Sequence, residues 1–169
     1  MREVAYKELT VDGFGSYGAY SRLIEPSGTF IGFDPIKFYR DKLQFSFPGL
    51  TQPSIGVTRV SRRDFVIDTS EYHSSTCEVQ IPLDGDMLFH VGHATADNVF
   101  PADAVEVFRV PRGTAIVIRP GVWHHAPFAL ATEHVHCVVI LPERTYFNDQ
   151  FLTELGAEQK LRIRGKGTD

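Results

Sequence analysis

Residues 71–85 read EYHSSTCEVQIPLDG, and the spacing of their polar groups decides how the chain is folded. Glu71 and His73 stand two apart, so on an extended strand they share a face. Four small residues, SSTC, separate His73 from Glu78 and suit a tight bend that brings the next strand alongside. Glu78 and Gln80 then point into the same space, and LDGD supplies turn chemistry to close a hairpin. Read alone, the stretch is either half of a metal site or a set of polar residues on the wet face of a sheet.

Outward from this stretch, the apolar runs are short and rich in Val, Ile and Phe: SIGVTRV (54–60), MLFHVGH (87–93), VEVFRV (105–110), TAIVIRP (114–120) and HVHCVVIL (134–141). Gly, Pro, Asp or Asn breaks them at intervals of about ten residues, which is the pattern of a β-sandwich or barrel. In VEVFRV, Val105, Val107 and Arg109 fall on one side, and Glu106, Phe108 and Val110 on the other. Helical patterning is confined to TVDGFGSYG (10–18) and RTYFNDQFLTELG (144–156), the latter with Thr145 as cap and Gly156 as stop. The tail KLRIRGKGTD (160–169) is charged and expected to fray. The chain therefore reads as one all-β domain over residues 1–169, with a barrel core at about 5–145 and a C-terminal appendage, 146–169.

The bulk properties narrow the functional classes. A length of 169 residues buries one core without staples. Net charge is −4 with no basic stripe, which argues against a nucleic-acid partner. MREVAYKELTVDGF lacks the apolar region of a secretory leader, and no run approaches a membrane span. Cys77 and Cys137 form no disulfide framework; two reduced thiols imply a cytoplasmic protein.

A second polar segment follows the first by some forty residues. In RGTAIVIRPGVWHHAPFAL (112–130) an apolar strand runs into a turn pre-set by Pro120 and Gly121, then delivers Trp123, His124 and His125. Two imidazoles with one or two carboxylates at a barrel mouth suit a divalent transition metal.

Together the two segments resemble the cupin superfamily. Its first signature, H-x-H, four residues, E, six residues, G, is met by Glu71-x-His73, Glu78 and Gly85, with glutamate replacing the first histidine. GTAIVIRPGVWH is similar to its second signature, with the proline displaced by one position. The resemblance implies a jelly-roll barrel with His73, Glu78 and His124 as metal ligands and Glu71 in the fourth ligand's place. Within cupins the chain looks most like ureidoglycolate lyase, through LTVDGFGSYG, FYRDKL, SIGVTRV and VWHHAPFAL, over about residues 9–142. It departs from that family at Glu78, where glutamine is expected, and in the His134/His136 pair.

The other candidates stay open between a structural and a functional reading. His125 follows His124 directly and points to the opposite face. His134 and His136 share a face that looks either into the barrel or away from it. Arg59 offers a planar fork for a substrate carboxylate, or is a solvated surface arginine. His90, His93, Trp123, Phe108, Phe128 and Cys77 read as structural.

The resemblance implies metal-assisted cleavage of ureidoglycolate to glyoxylate and urea. Glu71 or a histidine such as His136 then acts as general base, and Arg59 orients the substrate. The ion implied is Ni, Zn, Mn or Fe. Two alternatives remain: a metal-dependent cupin isomerase or lyase for another small hydroxy acid or sugar-derived carbonyl compound, and a non-catalytic ligand-binding cupin. The aromatic-rich KFYRDKLQFSFPGL (37–50) suits a buried contact with a second subunit, and the resemblance implies a homodimer.

Overall fold

A computed structural model describes residues 1–49 and 51–167. The strands in chain order are β1 (Arg2–Glu8), β2 (Gly18–Arg22), β3 (Ile31–Phe33), β4 (Ile36–Phe38) and β5 (Pro53–Ser61). There follow β6 (Val66–Ile67), β7 (Thr69–Tyr72), β8 (Glu78–Pro82), β9 (Met87–Val91) and β10 (Glu106–Val110). The last five are β11 (Thr114–Ile118), β12 (Phe128–Ala129), β13 (His134–Pro142), β14 (Phe151–Glu154) and β15 (Leu161–Lys166). Helix is limited to two single turns, α1 (Val11–Phe14) and α2 (Thr145–Asn148), and a 3-10 turn at Ala102–Ala104.

Two curled sheets face one another. One runs β12-β9-β10-β1-β15-β6 and the other β2-β11-β8-β13-β5. Alternation sends Met87, Phe89, Val91, Phe108 and Val110 from the first sheet against Ile116, Ile118, Val135, Cys137 and Val60 from the second, forming the main core. The opposite face of the first sheet is buried as well: Leu88, Val107, Leu161 and Ile163 pack beneath Phe100, Trp123 and Phe128. Burial on both faces explains why MLFHV is apolar throughout rather than alternating. In β10 the expected division holds, with Val107 in one cluster and Phe108 and Val110 in the other.

Several expectations are corrected. β7 and β8 do not form a hairpin: β7 pairs with β14, whereas β8 lies between β11 and β13 with both edges filled. LDGD carries the chain from one sheet to the other, because β8 and β9 belong to different sheets. Only Thr145–Asn148 of the expected C-terminal helix is helical, capped by Arg144 with a left-handed backbone rather than by Thr145. Residues 151–154 form a strand because Phe151 stacks on Tyr72 at 4.7 Å and Leu155 inserts into the second cluster. The supposedly frayed tail is β15, which pairs in parallel with β1 and buries Leu161 and Ile163; only residues 168–169 of it lie outside the described part. At the N-terminal candidate, Thr10 caps α1 by accepting the Gly13 N–H at 3.0 Å.

Cys77 and Cys137 are free thiols, and burial pushes that of Cys137 up to about 12. Among the described residues, no helix is long and apolar enough to cross a membrane.

Candidate metal centre

His124 reaches the site through a turn. Gly121 takes φ 80°, a backbone angle that favours glycine, and reverses the chain after Pro120. The returning segment lies antiparallel to β7: Glu71 N–H donates to the His124 carbonyl at 2.7 Å, and His124 N–H to the Glu71 carbonyl at 2.8 Å. Residues paired in this way present their side chains on one face. Gly121 N–H donates to the His73 carbonyl at 2.7 Å, which continues the pairing by one step. The corner SSTC between β7 and β8 is held from the far end of the chain. The Asp149 carboxylate accepts from the backbone N–H and hydroxyl groups of Ser74 and Ser75, at 2.6–2.9 Å.

Both imidazoles are oriented by backbone. His73 Nδ1 lies 2.6 Å from the Asp149 carbonyl oxygen and His124 Nδ1 lies 2.8 Å from that of Val122. A carbonyl only accepts, so each Nδ1 carries the proton and each Nε2 of a neutral ring presents a lone pair. Both Nε2 atoms stand 3.0 Å from the same oxygen, Oε2 of Glu78. The second oxygen of Glu78 accepts from the Gln80 amide at 2.5 Å. Glu78 is only 4% exposed, and neither Lys nor Arg lines the cavity beside it. Three acceptors converging in a buried place require a cation among them, either a proton or a metal ion. The donor set, two imidazoles and a carboxylate, fits a divalent transition metal.

The electrostatics agree. Burial disfavours the charged form of Glu78, yet His124 and His73 outweigh it and hold the carboxyl far below the ordinary carboxylate range. Burial likewise opposes a charged His124, but the Glu78 carboxylate draws its pKa upward. Glu71 completes the group: one donor atom each from Glu71, His73 and His124 lie within 4.8 Å of one another. Its carboxylate accepts from the Gln150 amide. Glu71, His73 and Glu78 open on a cavity of about 150 Å³, walled by Thr58, Gln80, Val139, Leu141, Tyr146 and Gln150.

The structure thus brings together Glu71, His73, Glu78 and His124. It does not bring in Arg59 or His136. Alternation along β13 turns Cys137, Val139 and Leu141 inward, so His134 and His136 face outward. Arg59 lies opposite His136 on β5 and is exposed on that same outer face, donating to Ser61 Oγ at 3.1 Å. Its role as substrate clamp and that of His136 as base are therefore corrected: the sheet lies between them and the cavity. Asp149, Gln150 and Tyr146 were missed, because RTYFNDQFLTELG was read as a helix outside the barrel. The polar run Asn148-Asp149-Gln150 inside that apolar pattern was the available signal.

The sequence model of a family described as a domain of unknown function, DUF4867, matches residues 47–166. The chain belongs to the DUF4867 family. No curated protein sequence matches this DUF4867 chain. Among solved structures, a dTDP sugar isomerase from Desulfovibrio desulfuricans is similar at 17% identity and a TM-score of 0.53, covering 84% of this chain and 87% of that one. A variant 3,4-ketoisomerase from Thermoanaerobacterium thermosaccharolyticum, in complex with TDP-4-keto-6-deoxyglucose, is similar at 14% identity and 0.50, covering 79% and 85%. Oxalate decarboxylase of Bacillus subtilis, described with Mn(II) centres, matches at 14% identity and 0.44, over 62% of this chain. The DUF4867 chain spans about a quarter of that decarboxylase's length, 24%. The two isomerases are cupin-fold proteins, and the DUF4867 chain shares their fold.

Proposed function

We propose that this chain is a metal-dependent cupin enzyme that moves a proton within a small, uncharged hydroxy-carbonyl compound, with Glu71 as the base. The observation that carries the reading is the convergence of two Nδ1-tethered imidazoles on buried Glu78, beside a second carboxylate, in a cavity without a cationic side chain. His73, Glu78 and His124 are the residues that would hold the ion, with the Glu71 carboxylate beside it. Once bound, it supplies Lewis-acid polarisation of a carbonyl or hydroxyl oxygen.

The rest of the work falls to the chain itself. Glu71, steadied by the Gln150 amide, removes the proton from the carbon bearing the hydroxyl and, as the acid, returns it to the adjacent carbonyl carbon, while the hydroxyl proton passes to the former carbonyl oxygen, so that hydroxyl and carbonyl exchange places. Gln80 keeps the Glu78 carboxylate turned toward the imidazoles. Val139, Leu141 and Tyr146 form the apolar wall of the cavity beside it. A cavity of about 150 Å³ is below the roughly 300–1,000 Å³ of drug-sized sites, so it suits a short-chain compound rather than a nucleotide sugar.

Cleavage of ureidoglycolate, the activity implied by the sequence resemblance, uses the same parts. Glu71 would take the hydroxyl proton and pass it to the departing urea nitrogen. With Arg59 on the outer face, the substrate carboxylate would meet two protein carboxylates and no protein cation, so this reading stands second.

The test is solvent-exchange NMR in D2O on protein purified without chelator, over a panel of small ketoses, aldoses and hydroxy acids. Deuterium entering the carbon next to a carbonyl, lost in Glu71→Gln, supports the isomerase reading. Glyoxylate release from ureidoglycolate without such exchange shifts the assignment to the lyase. No bound metal and no turnover in either assay would overturn both enzymatic readings and leave a ligand-binding cupin.

A further inference from the structure

We infer that the outer face of the five-stranded sheet carries a second, open metal site, with His134 and His136 as its ligands and Asp84 orienting His136, suited to a borderline divalent ion such as Zn2+ or Ni2+. The proposal stands independently of the inner centre.

The period of two along β13 sets His134 and His136 side by side on the outward face, with ring centroids 5.0 Å apart and planes at 79°. Asp84, in the turn after β8, grips His136 with both oxygens. One accepts the His136 backbone N–H at 2.8 Å, and the other lies 2.5 Å from Nδ1. A carboxylate at Nδ1 keeps the proton there and bares Nε2, the arrangement by which metal-ligating histidines are oriented. One donor atom from each of the three residues lies within 4.8 Å of the others.

The frame beneath is rigid, because β13 is paired on both sides, with β5 and β8. Side-chain exposures of 34% for His136 and 43% for Asp84 leave the donors half in water, so an ion can arrive without stripping a buried pocket. A hydrogen bond pinning the β8–β9 connection accounts for Asp84 and His136 but not for His134. Among the described residues, the His134 ring makes no hydrogen bond. The neighbouring cation, Arg59, directs its guanidinium to Ser61 Oγ along β5 rather than onto Asp84. Two imidazole donors, with water completing the shell, select late first-row ions over Mg2+ or Ca2+, which take oxygen donors.

The experiment is a Zn2+ titration of chelator-stripped full-length chain by calorimetry, with elemental analysis after gel filtration. The His73→Ala/His124→Ala variant isolates the outer site and is expected to hold one ion per chain. Adding His134→Ala/His136→Ala should reduce this to none. Asp84→Asn in the same background should weaken binding by about 10–100-fold, the effect of losing a residue that orients a ligand. Because His134 and His136 face outward, their alanine variants should keep the circular dichroism spectrum of the parent. If the inner-site variant binds no ion, binds only at millimolar Zn2+, or is unaffected by the outer substitutions, the site does not exist. An inner-centre failure reads out separately, as absence of an ion from His134→Ala/His136→Ala alone.

Discussion

At the scale of single residues, Glu78 and Glu71 differ in what surrounds them. Glu78 is sealed among His73, His124 and Gln80, so its charge has no solvent to fall back on. Glu78→Gln removes the anion on which two lone pairs converge. The expected result is loss of inner-site metal by elemental analysis of the purified protein. Glu71 is only half-buried and lines the cavity. Glu71→Gln should retain most of the metal while turnover falls by about 10²–10⁴-fold, the usual contribution of a positioned base. Equal loss of metal in the two variants would make Glu71 a ligand rather than a base. In the core, Phe108 is fully buried and edge-on to Phe14 at 5.4 Å. Phe108→Ala should cost about 3–5 kcal/mol in denaturant unfolding, since the cavity is enclosed by both sheets.

At the scale of elements, charge ties strands that sequence places far apart. Arg109 on β10 donates to Asp86 at 2.6 and 2.9 Å and to Glu8 on β1 at 3.3 Å, and Asp86 also accepts the Arg112 N–H at 2.8 Å. Burial works against the Asp86 charge, but Arg112 and Arg109 outweigh it and lower its pKa. A carboxyl whose pKa is lower folded than unfolded contributes stability above its unfolded value, about 3.9, and loses it as pH falls through the folded value. Thermal melts should therefore drop as the pH falls below about 4. Asp86→Asn should lower stability by about 1 kcal/mol at neutral pH, after allowing for partial exposure, and flatten that acid limb. A limb of unchanged steepness would remove Asp86 from the account. The elements also show what was legible. Short apolar runs broken by Gly, Pro, Asp or Asn gave β5, β9, β10, β11 and β13, because each of these strands contributes to a core, and in β10 alternation told its two faces apart. β14 was not legible: its stability comes from Phe151 against Tyr72, a contact between positions far apart. Glu71, His73, Glu78 and His124 could be grouped by spacing, whereas the outward turn of Arg59 and His136 depends on a register that no short motif encodes.

At the scale of the whole molecule, one part is left without cover. Between β2 and β5 an arm leaves the barrel, carrying the β3–β4 hairpin with Phe33, Ile36 and Phe38 at 82%, 76% and 62% exposed. Among the described residues, hydrogen bonds of residues 25–51 run within the arm. A lone two-stranded hairpin is marginal in water. The adjoining β5 is an edge strand whose outer face exposes Ile55 and Val57. Apolar arm and apolar edge come from the same chain, and obligate homodimer interfaces are built of such surface. Light scattering after gel filtration should give about twice the 19.0 kDa chain mass. Phe33→Asp with Ile36→Asp should halve it; a monomeric parent would exclude the dimer.

The parallel pairing of β1 with β15 sets a timetable for biosynthesis. Strand β1 must wait for a partner translated more than 150 residues later, since Arg2 pairs with Leu161. Until then that edge is open to wrong neighbours, a longer exposure than in a barrel closed by consecutive hairpins.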